Sequence, residues 1–219
     1  MKCKAWLLLL CSICFQIMNA QTPDLVPYRK GDKFGYANNK KEIKIPATYN
    51  YAGLFMEGLA KVEVDGKAGF IDKTGKMVIP AIYANAYSFS EGLAPVKLQS
   101  KWGFIDKGGN LVIAADYDDC FSFKNGLAKV KLADKYGCID AKGKIIVPVE
   151  YEYLNEFSED MALAKKDKKY GYVNNKGKLV VPAEYGYGLA FSEGLAPVEK
   201  NNLYGFVDKT GKLIIEPKY

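Results

Sequence analysis

The sequence contains no histidine among its 219 residues. Histidine is the usual general base at neutral pH, the usual partner of a catalytic serine or cysteine, and the commonest transition-metal ligand. Its absence removes the commonest hydrolase triads and metal sites, and no paired-carboxylate or EF-hand spacing takes their place. We therefore expect no catalytic residue, no metal ion and no cofactor, and predict that the protein is not an enzyme.

Long hydrophobic runs are also scarce. The longest lies at residues 5–15, follows Lys2 and Lys4, and precedes the sequence Met18-Asn19-Ala20. It is shorter than the about 20 apolar residues of a membrane-spanning helix, and its pattern is that of a signal peptide at residues 1–20. We expect export to the periplasm or the exterior, with envelope association as a further option. The mature chain, residues 21–219, should have no transmembrane segment.

Charge of one sign is not in large excess, since 31 basic residues face 25 acidic ones and the formal net charge is +6. This balance fits anionic partners without requiring them. Nucleic-acid binding would need a broader basic face and does not suit an exported chain. We expect no nucleic-acid partner.

Residues 25–219 consist of a sequence repeat whose copies follow one another without insertions. The glycine of the sequence Trp102-Gly103 recurs every 34 residues, and a tyrosine and a phenylalanine recur at the same spacing. The glycines are Gly35, Gly69, Gly103, Gly137, Gly171 and Gly205; the tyrosines are Tyr49, Tyr83, Tyr117, Tyr151, Tyr185 and Tyr219; the phenylalanines are Phe55, Phe89, Phe123, Phe157 and Phe191. Such periodicity identifies a repeat protein.

The repeat is built from strands. Helical repeats can have this length, but most copies carry three glycines that would interrupt a helix, and the apolar runs are short and β-branched. In one repeat, strand a is predicted at 93–98, strand b at 101–106 and strand c at 110–113. A two-residue hairpin loop joins strands a and b. Strand b should be central, and the proline at position 95 of strand a should lie at an edge or a strand end.

We predict an all-β fold, a tandem array of six three-stranded antiparallel meanders. The array is expected to be an open β-solenoid or superhelix, with a closed propeller-like ring as the alternative. The predicted units are 25–58, 59–92, 93–126, 127–160, 161–194 and 195–219.

The motifs KAGFIDKTGKMVIP, KWGFIDKGGNLVI, KYGCIDAKGKIIVP and LYGFVDKTGKLIIEP, each containing the recurrent glycine, resemble the WG-containing (KWG-type) repeats of bacterial proteins. The resemblance covers about residues 25–219. It implies a module common in exported and envelope-associated proteins, and it supplies no catalytic residues. The tryptophan position varies, since it holds Phe34, Ala68, Trp102, Tyr136, Tyr170 and Tyr204.

Residues that recur in every copy are interpreted as architecture. Asp or Asn after strand b caps a turn, the Glu of the Ser-Glu-Gly turns is a solvated turn residue, and the recurrent aromatic residues pack. Residues that vary in the link from strand c to the next strand a are better binding candidates. The candidate binding residues are Tyr51, Tyr87, Phe121, Tyr153 and Tyr187.

Cys120 and Cys138 remain after removal of the predicted signal peptide, and in an exported protein they could form a disulfide. Each also occupies a position that is apolar or aromatic in most copies, so each can be an isolated apolar substitution. We favour the second interpretation.

The predicted function is that of a non-enzymatic extracytoplasmic module that binds protein or glycan partners or acts as an envelope scaffold. The alternatives are a carboxylate-dependent glycan-active enzyme and a purely structural spacer.

Overall fold

The computed structural model describes residues 24–218, and every regular element in that range is a β-strand. The predicted signal peptide and the closing Tyr219 lie outside the described residues. No helix within residues 24–218 is long and apolar enough to cross a membrane.

The strands form six antiparallel sheets that follow one another along the chain. The first sheet contains β1 (Leu25–Lys30), β2 (Lys33–Asn38) and β3 (Ile43–Tyr49). The second contains β4 (Tyr51–Met56), β5 (Leu59–Val64), β6 (Lys67–Asp72) and β7 (Met77–Tyr83). The third contains β8 (Asn85–Ala86), β9 (Ala94–Leu98), β10 (Lys101–Ile105) and β11 (Leu111–Tyr117).

The remaining three sheets repeat this arrangement. The fourth contains β12 (Asp119–Cys120), β13 (Ala128–Leu132), β14 (Lys135–Ile139) and β15 (Ile145–Tyr151). The fifth contains β16 (Tyr153–Leu154), β17 (Met161–Lys166), β18 (Lys169–Asn174) and β19 (Leu179–Tyr185). The sixth contains β20 (Tyr187–Gly188), β21 (Leu195–Lys200), β22 (Leu203–Asp208) and β23 (Leu213–Ile215).

The all-β class and the six repeats are confirmed, but the prediction of three strands in every unit is wrong. Five sheets have a fourth strand, which the link from strand c supplies by pairing with the following strand a. In the third sheet, for example, the amides of Ala84 and Tyr87 donate to the carbonyls of Lys97 and Pro95, each at 2.9 Å. Backbone hydrogen bonds therefore order a segment that has almost no apolar pattern of its own.

Strand b is central in all six sheets, as predicted, and joins strand a through two-residue turns. Positive φ angles at non-glycine residues occur in these turns, for example at Gln99, and at both Asn201 and Asn202. A tight hairpin requires such angles because its twist must match that of the strands. These turns fix the register between strands a and b.

The strand-a proline lies on an edge strand in the first sheet, where β1 contains Pro27, but on an inner strand in the third sheet, where Pro95 is the second residue of β9. Pro95 lies inside β9, between β8 and β10, and is paired opposite Phe104. Its carbonyl accepts from the amide of Tyr87 at 2.9 Å, on the side of the short strand. N–H and C=O of one residue point to the same side of an antiparallel strand, so the proline removes no hydrogen bond to strand b.

The hydrophobic core lies between consecutive sheets. Five buried clusters occur within residues 24–218, and each combines side chains of one sheet with those of the next. The recurrent phenylalanine of the link inserts into this interface; Phe89 contacts Phe70 of the preceding sheet with ring centroids 4.9 Å apart. Burial of such a side chain contributes about 1.5–3 kcal/mol. The periodic aromatic residues therefore stack the repeats.

The outer faces of the two terminal sheets are less covered than the inner faces. Phe206 in the last sheet is half-buried, whereas Phe70 and Phe104 at the same repeat position are fully buried. Val26 in the first sheet is 37% exposed, whereas the equivalent Ala94 is fully buried. Within residues 24–218, these outer-face residues of the two terminal sheets are therefore less buried than the equivalent residues between consecutive sheets.

Cys120 and Cys138 are free thiols buried in two different clusters. Cys120 packs between the third and fourth sheets, and Cys138 packs between the fourth and fifth. Burial raises the pKa of the Cys138 thiol to about 12 and raises that of Cys120 as well. Both residues therefore act as apolar core residues.

We expect neither thiol to react with iodoacetamide in the folded protein near neutral pH, because the thiolate is the reactive form and burial disfavours it. In denaturant both should alkylate completely without prior reduction. Peptide-level mass spectrometry at Cys120 and Cys138 measures this. Rapid labelling of the folded protein, or alkylation in denaturant only after a reductant is added, would contradict the burial or the free-thiol state.

Candidate functional site

The recurrent carboxylates after strand b cap turns. Asp106 Oδ1 accepts hydrogen bonds from the amides of Gly108 and Asn110, each at 2.9 Å. The Asn110 side chain also donates to Asp106 and lowers the pKa of its carboxyl, and the backbone bonds lower it further. Equivalent backbone bonds form at Asn38, Asp72, Asp140, Asn174 and Asp208. These residues fix the turn, as their recurrence predicted.

The turn glutamates do more than the predicted solvated role. The carboxylate of Glu91 accepts from the amide of Gly126 in the next repeat at 2.8 Å. Glu57 and Glu159 accept in the same way from Gly92 and Gly194. Stacking places one turn directly over the next, so a charged side chain that looks solvated in sequence links adjacent repeats.

The five candidate binding residues all lie on the solvent side of the links. Tyr51, Tyr87, Phe121, Tyr153 and Tyr187 are between 36% and 44% exposed. Each link carries one of them, at one of two positions on the short fourth strand or directly after it. We call this set the aromatic row. The row follows the edge strands from the second sheet to the sixth.

Three residues of the aromatic row are covered on one side by a neighbour. Lys61 Nζ lies 4.8 Å from the ring centroid of Tyr51. Lys129 Nζ lies 4.3 Å from that of Phe121. Tyr87 stacks on Trp102 with ring centroids 5.0 Å apart and planes 4° from parallel.

Tyr153 and Tyr187 instead share a cleft of about 270 Å³ between the fifth and sixth sheets. Tyr170 of strand b lies between them, with ring centroids 6.4 Å from Tyr153 and 5.9 Å from Tyr187. Leu163 and Leu189 also line this cleft. We call it the tyrosine cleft, and it brings two of the five predicted residues together.

A sequence profile of the WG containing repeat matches residues 34–67, 69–102, 102–136, 136–170, 170–204 and 204–219. The chain belongs to this WG repeat family. Among curated protein sequences, none matches the chain significantly.

Solved structures with a similar fold share little sequence with these WG repeats. One is described as the crystal structure of the eukaryotic initiation factor, with 10% identity, a TM-score of 0.52, and coverage of 89% of this chain and 63% of that chain. BamB from Moraxella catarrhalis has 11% identity and a TM-score of 0.47, with 87% and 68% coverage. Hsv2 from Kluyveromyces lactis has 10% identity and a TM-score of 0.48, with 85% and 71% coverage. The likeness concerns the fold alone.

The glycine of the WG motif lies at a position of close backbone approach. A Cβ on Gly103 would lie 2.5 Å from the carbonyl oxygen of Ile113 and 2.8 Å from the amide nitrogen of Ala115. Strand c bulges at this point, because Trp102 pairs with Tyr117 while Phe104 pairs with Ile113. The WG repeats need glycine here because the bulge passes over strand b.

Sequence reasoning missed Tyr170 and Leu163. Tyr170 occupies the tryptophan position of the WG motif, which lies on strand b, whereas the candidate residues were sought in the links. Leu163 occupies the strand-a position that holds Pro27, Lys61, Pro95, Lys129 and Pro197 in the other repeats. The signal was its variation, the same criterion that selected the aromatic row.

Proposed function

We propose that this WG repeat chain is a non-enzymatic module outside the cytoplasm that binds protein or glycan partners through the aromatic row. The observation that carries the proposal is one exposed aromatic side chain on every link. Large aromatic side chains supply contact area with little loss of conformational entropy, and exposed rows of them are typical of interaction surfaces. The signal-peptide pattern at residues 1–20 supports the extracytoplasmic location.

The charged groups favour binding over glycan hydrolysis. A glycosidase acid needs a raised pKa beside a second carboxylate. The described carboxyl groups with shifted pKa values, such as Asp106, Glu57 and Asp72, are shifted downwards by hydrogen bonds from lysine, asparagine, threonine or backbone groups. Residues 24–218 also contain no cluster of three Cys, Asp or Glu residues suited to a metal ion. These groups are suited to holding turns.

We also propose that the array is an open solenoid or superhelix. Closure into a propeller-like ring would bury the outer faces of the first and sixth sheets against each other, as the inner faces are buried. The exposure of Val26 and the incomplete burial of Phe206 support the open form.

Replacing all five residues of the aromatic row by alanine should abolish partner binding while the fold persists, because the five side chains are exposed. The control replaces four exposed aliphatic residues elsewhere by serine: Ile43, Ile82, Leu111 and Ile145. Both proteins and the unchanged chain are tested on a glycan array and with envelope extract, and bound proteins are identified by mass spectrometry. Equal capture by the two variants would contradict a role for the row and favour a structural spacer.

A further inference from the structure

The strand-a position occupied by Leu163 faces the groove between one sheet and the next. In the second repeat this position is Lys61, whose side chain is only 14% exposed. Its ammonium group donates to Asn85 Oδ1 of the third sheet at 3.1 Å and pairs with Glu63 at 3.0 Å. The lysine therefore occupies the groove and carries its charge there.

Lys129 does the same between the fourth and fifth sheets. Its side chain is 17% exposed, and Nζ donates to the carbonyl of Leu154 at 3.3 Å and lies 3.6 Å from Glu156. Between the third and fourth sheets the position is Pro95, and Tyr87 packs on Trp102 instead. Burial and the nearby Asp119, which belongs to the fourth sheet, raise the pKa of Tyr87. Lysine side chains therefore occupy two of these three grooves, and the Tyr87–Trp102 stack lies at the third.

Between the fifth and sixth sheets, Leu163 replaces the lysine and the tyrosine cleft is open. The short leucine side chain cannot cross the groove, and Gly188 takes the place of the larger Leu154, Cys120 and Ala86. A Cβ at Gly188 would lie 2.9 Å from Leu163 Cδ1 and 2.8 Å from Tyr172 Oη. Leu163 therefore packs against Gly188, where a larger residue would clash with it.

The lining of the tyrosine cleft is uncharged and rich in free hydrogen-bonding groups. No Lys, Arg, Asp or Glu lines it; the nearest recorded cation is Lys165, whose Nζ lies over the Tyr170 ring, 5.2 Å from its centroid. Within residues 24–218 the hydroxyl groups of Tyr153, Tyr170 and Tyr187 have no hydrogen-bond partner, and Asn155 uses only Oδ1, which accepts from the amide of Glu156. By contrast, the hydroxyl of the buried Tyr172 donates to the carbonyl of Leu189 at 2.6 Å. Three phenol groups and the Asn155 amide nitrogen of the lining residues are therefore not bonded to other described residues.

We infer that the tyrosine cleft binds a single ring of an uncharged glycan; this inference rests on the binding function proposed above. The aliphatic C–H face of a pyranose packs on a tyrosine ring, while its hydroxyl groups bond to phenol and amide groups. The cleft volume lies just below the about 300–1,000 Å³ of drug-sized ligand sites, which suits one ring. An acidic sugar would find no cation among the lining residues, because Lys165 is held over the Tyr170 ring. An extended peptide would pair with the backbone of an edge strand, whereas the recorded contacts in the cleft are between aromatic rings.

Titration calorimetry with neutral and acidic oligosaccharides tests the inference. The neutral probes are the hexasaccharides maltohexaose, cellohexaose and xylohexaose. The comparison probes are oligogalacturonate, which is an acidic glycan, and N-acetyltyrosine amide, which is an aromatic amino-acid derivative. We expect a neutral probe to bind at one site per chain. Leu163→Lys, which introduces the lysine found at Lys61 and Lys129, should weaken that binding at least about tenfold.

Two further variants distinguish a loss of binding at the cleft from a loss of the folded structure. Tyr187→Ala removes an exposed ring of the cleft and should also weaken neutral-glycan binding about tenfold. Leu111→Lys adds the same charge at an exposed position of the third sheet and should bind like the unchanged chain. Thermal unfolding monitored by circular dichroism checks that each variant is folded.

The outcomes separate this inference from the proposed function. Unchanged neutral-glycan affinity in both Leu163→Lys and Tyr187→Ala would overturn the assignment of the cleft, and so would binding of the acidic or aromatic probe alone. In either case the aromatic row can still bind a partner. If none of the probes binds to the unchanged chain, the inference is overturned. If the five-alanine variant also captures the same partners as the unchanged chain, the proposed function fails independently.

Discussion

Gly103→Ala is expected to lower the free energy of unfolding by about 3 kcal/mol. The added methyl group would meet the backbone of strand c at Ile113 and Ala115, at distances below van der Waals contact. Backbone in a paired strand cannot rotate away as a side chain can, so the bulge opposite Trp102 has to shift. Urea denaturation followed by circular dichroism measures the change.

Gly108→Ala is the matched control in the same repeat. A Cβ there would approach only side-chain atoms, Asn110 Nδ2 at 3.1 Å and Asp106 Oδ1 at 3.2 Å, which can give way. We expect a loss of about 0.5 kcal/mol or less, the usual range for a surface substitution. Equal losses for the two variants would show that close backbone approach is not what requires glycine at the WG position.

Phe70→Ala and Phe206→Ala are expected to differ strongly although they change the same repeat position. Phe70 is fully buried between two sheets, and its removal should cost about 4 kcal/mol. Phe206 faces the outer side of the sixth sheet and is half-buried, so its removal should cost about 1–2 kcal/mol. The comparison measures whether another sheet covers the last one.

A second pair of variants distinguishes an open end from simple fraying of the terminal repeat. Val26→Asp on the exposed outer face of the first sheet should be tolerated. Ala94→Asp at the equivalent inner position should unfold the protein, because an unpaired charge would be buried. A closed ring predicts large losses for Val26→Asp and Phe206→Ala alike, which would contradict the open array.

The pattern of strands was predictable because its signals are local. Two-residue turns such as Asn201-Asn202 carry the positive φ angles that a tight hairpin needs, and β-branched runs mark strand c. The fourth strand was not predictable, since segments such as Asn85-Ala86 are only two residues long. They become strands through hydrogen bonds to a strand a that lies ten residues further along the chain.

The candidate site, like the fold, was predictable only in those features that depend on local sequence. Variation between repeats pointed to Tyr153 and Tyr187 without any structure. It could not show that Tyr170 lies between them, because Tyr170 is on strand b and meets the two link residues only in the folded chain. The roles of Lys61 and Lys129 were equally hidden, since an exposed lysine and a lysine that fills a groove look alike in sequence.

The sequence by itself determined the repeat length, the all-β class, the central strand b and the recurrence of glycine at Gly103. These features depend on the chain's own periodicity and on residues close together in it. Only the tertiary structure decided which side chains occupy each groove and which faces stay uncovered. Those outcomes depend on atoms from two repeats meeting at distances of a few ångströms, and a period of 34 residues carries no information about such distances.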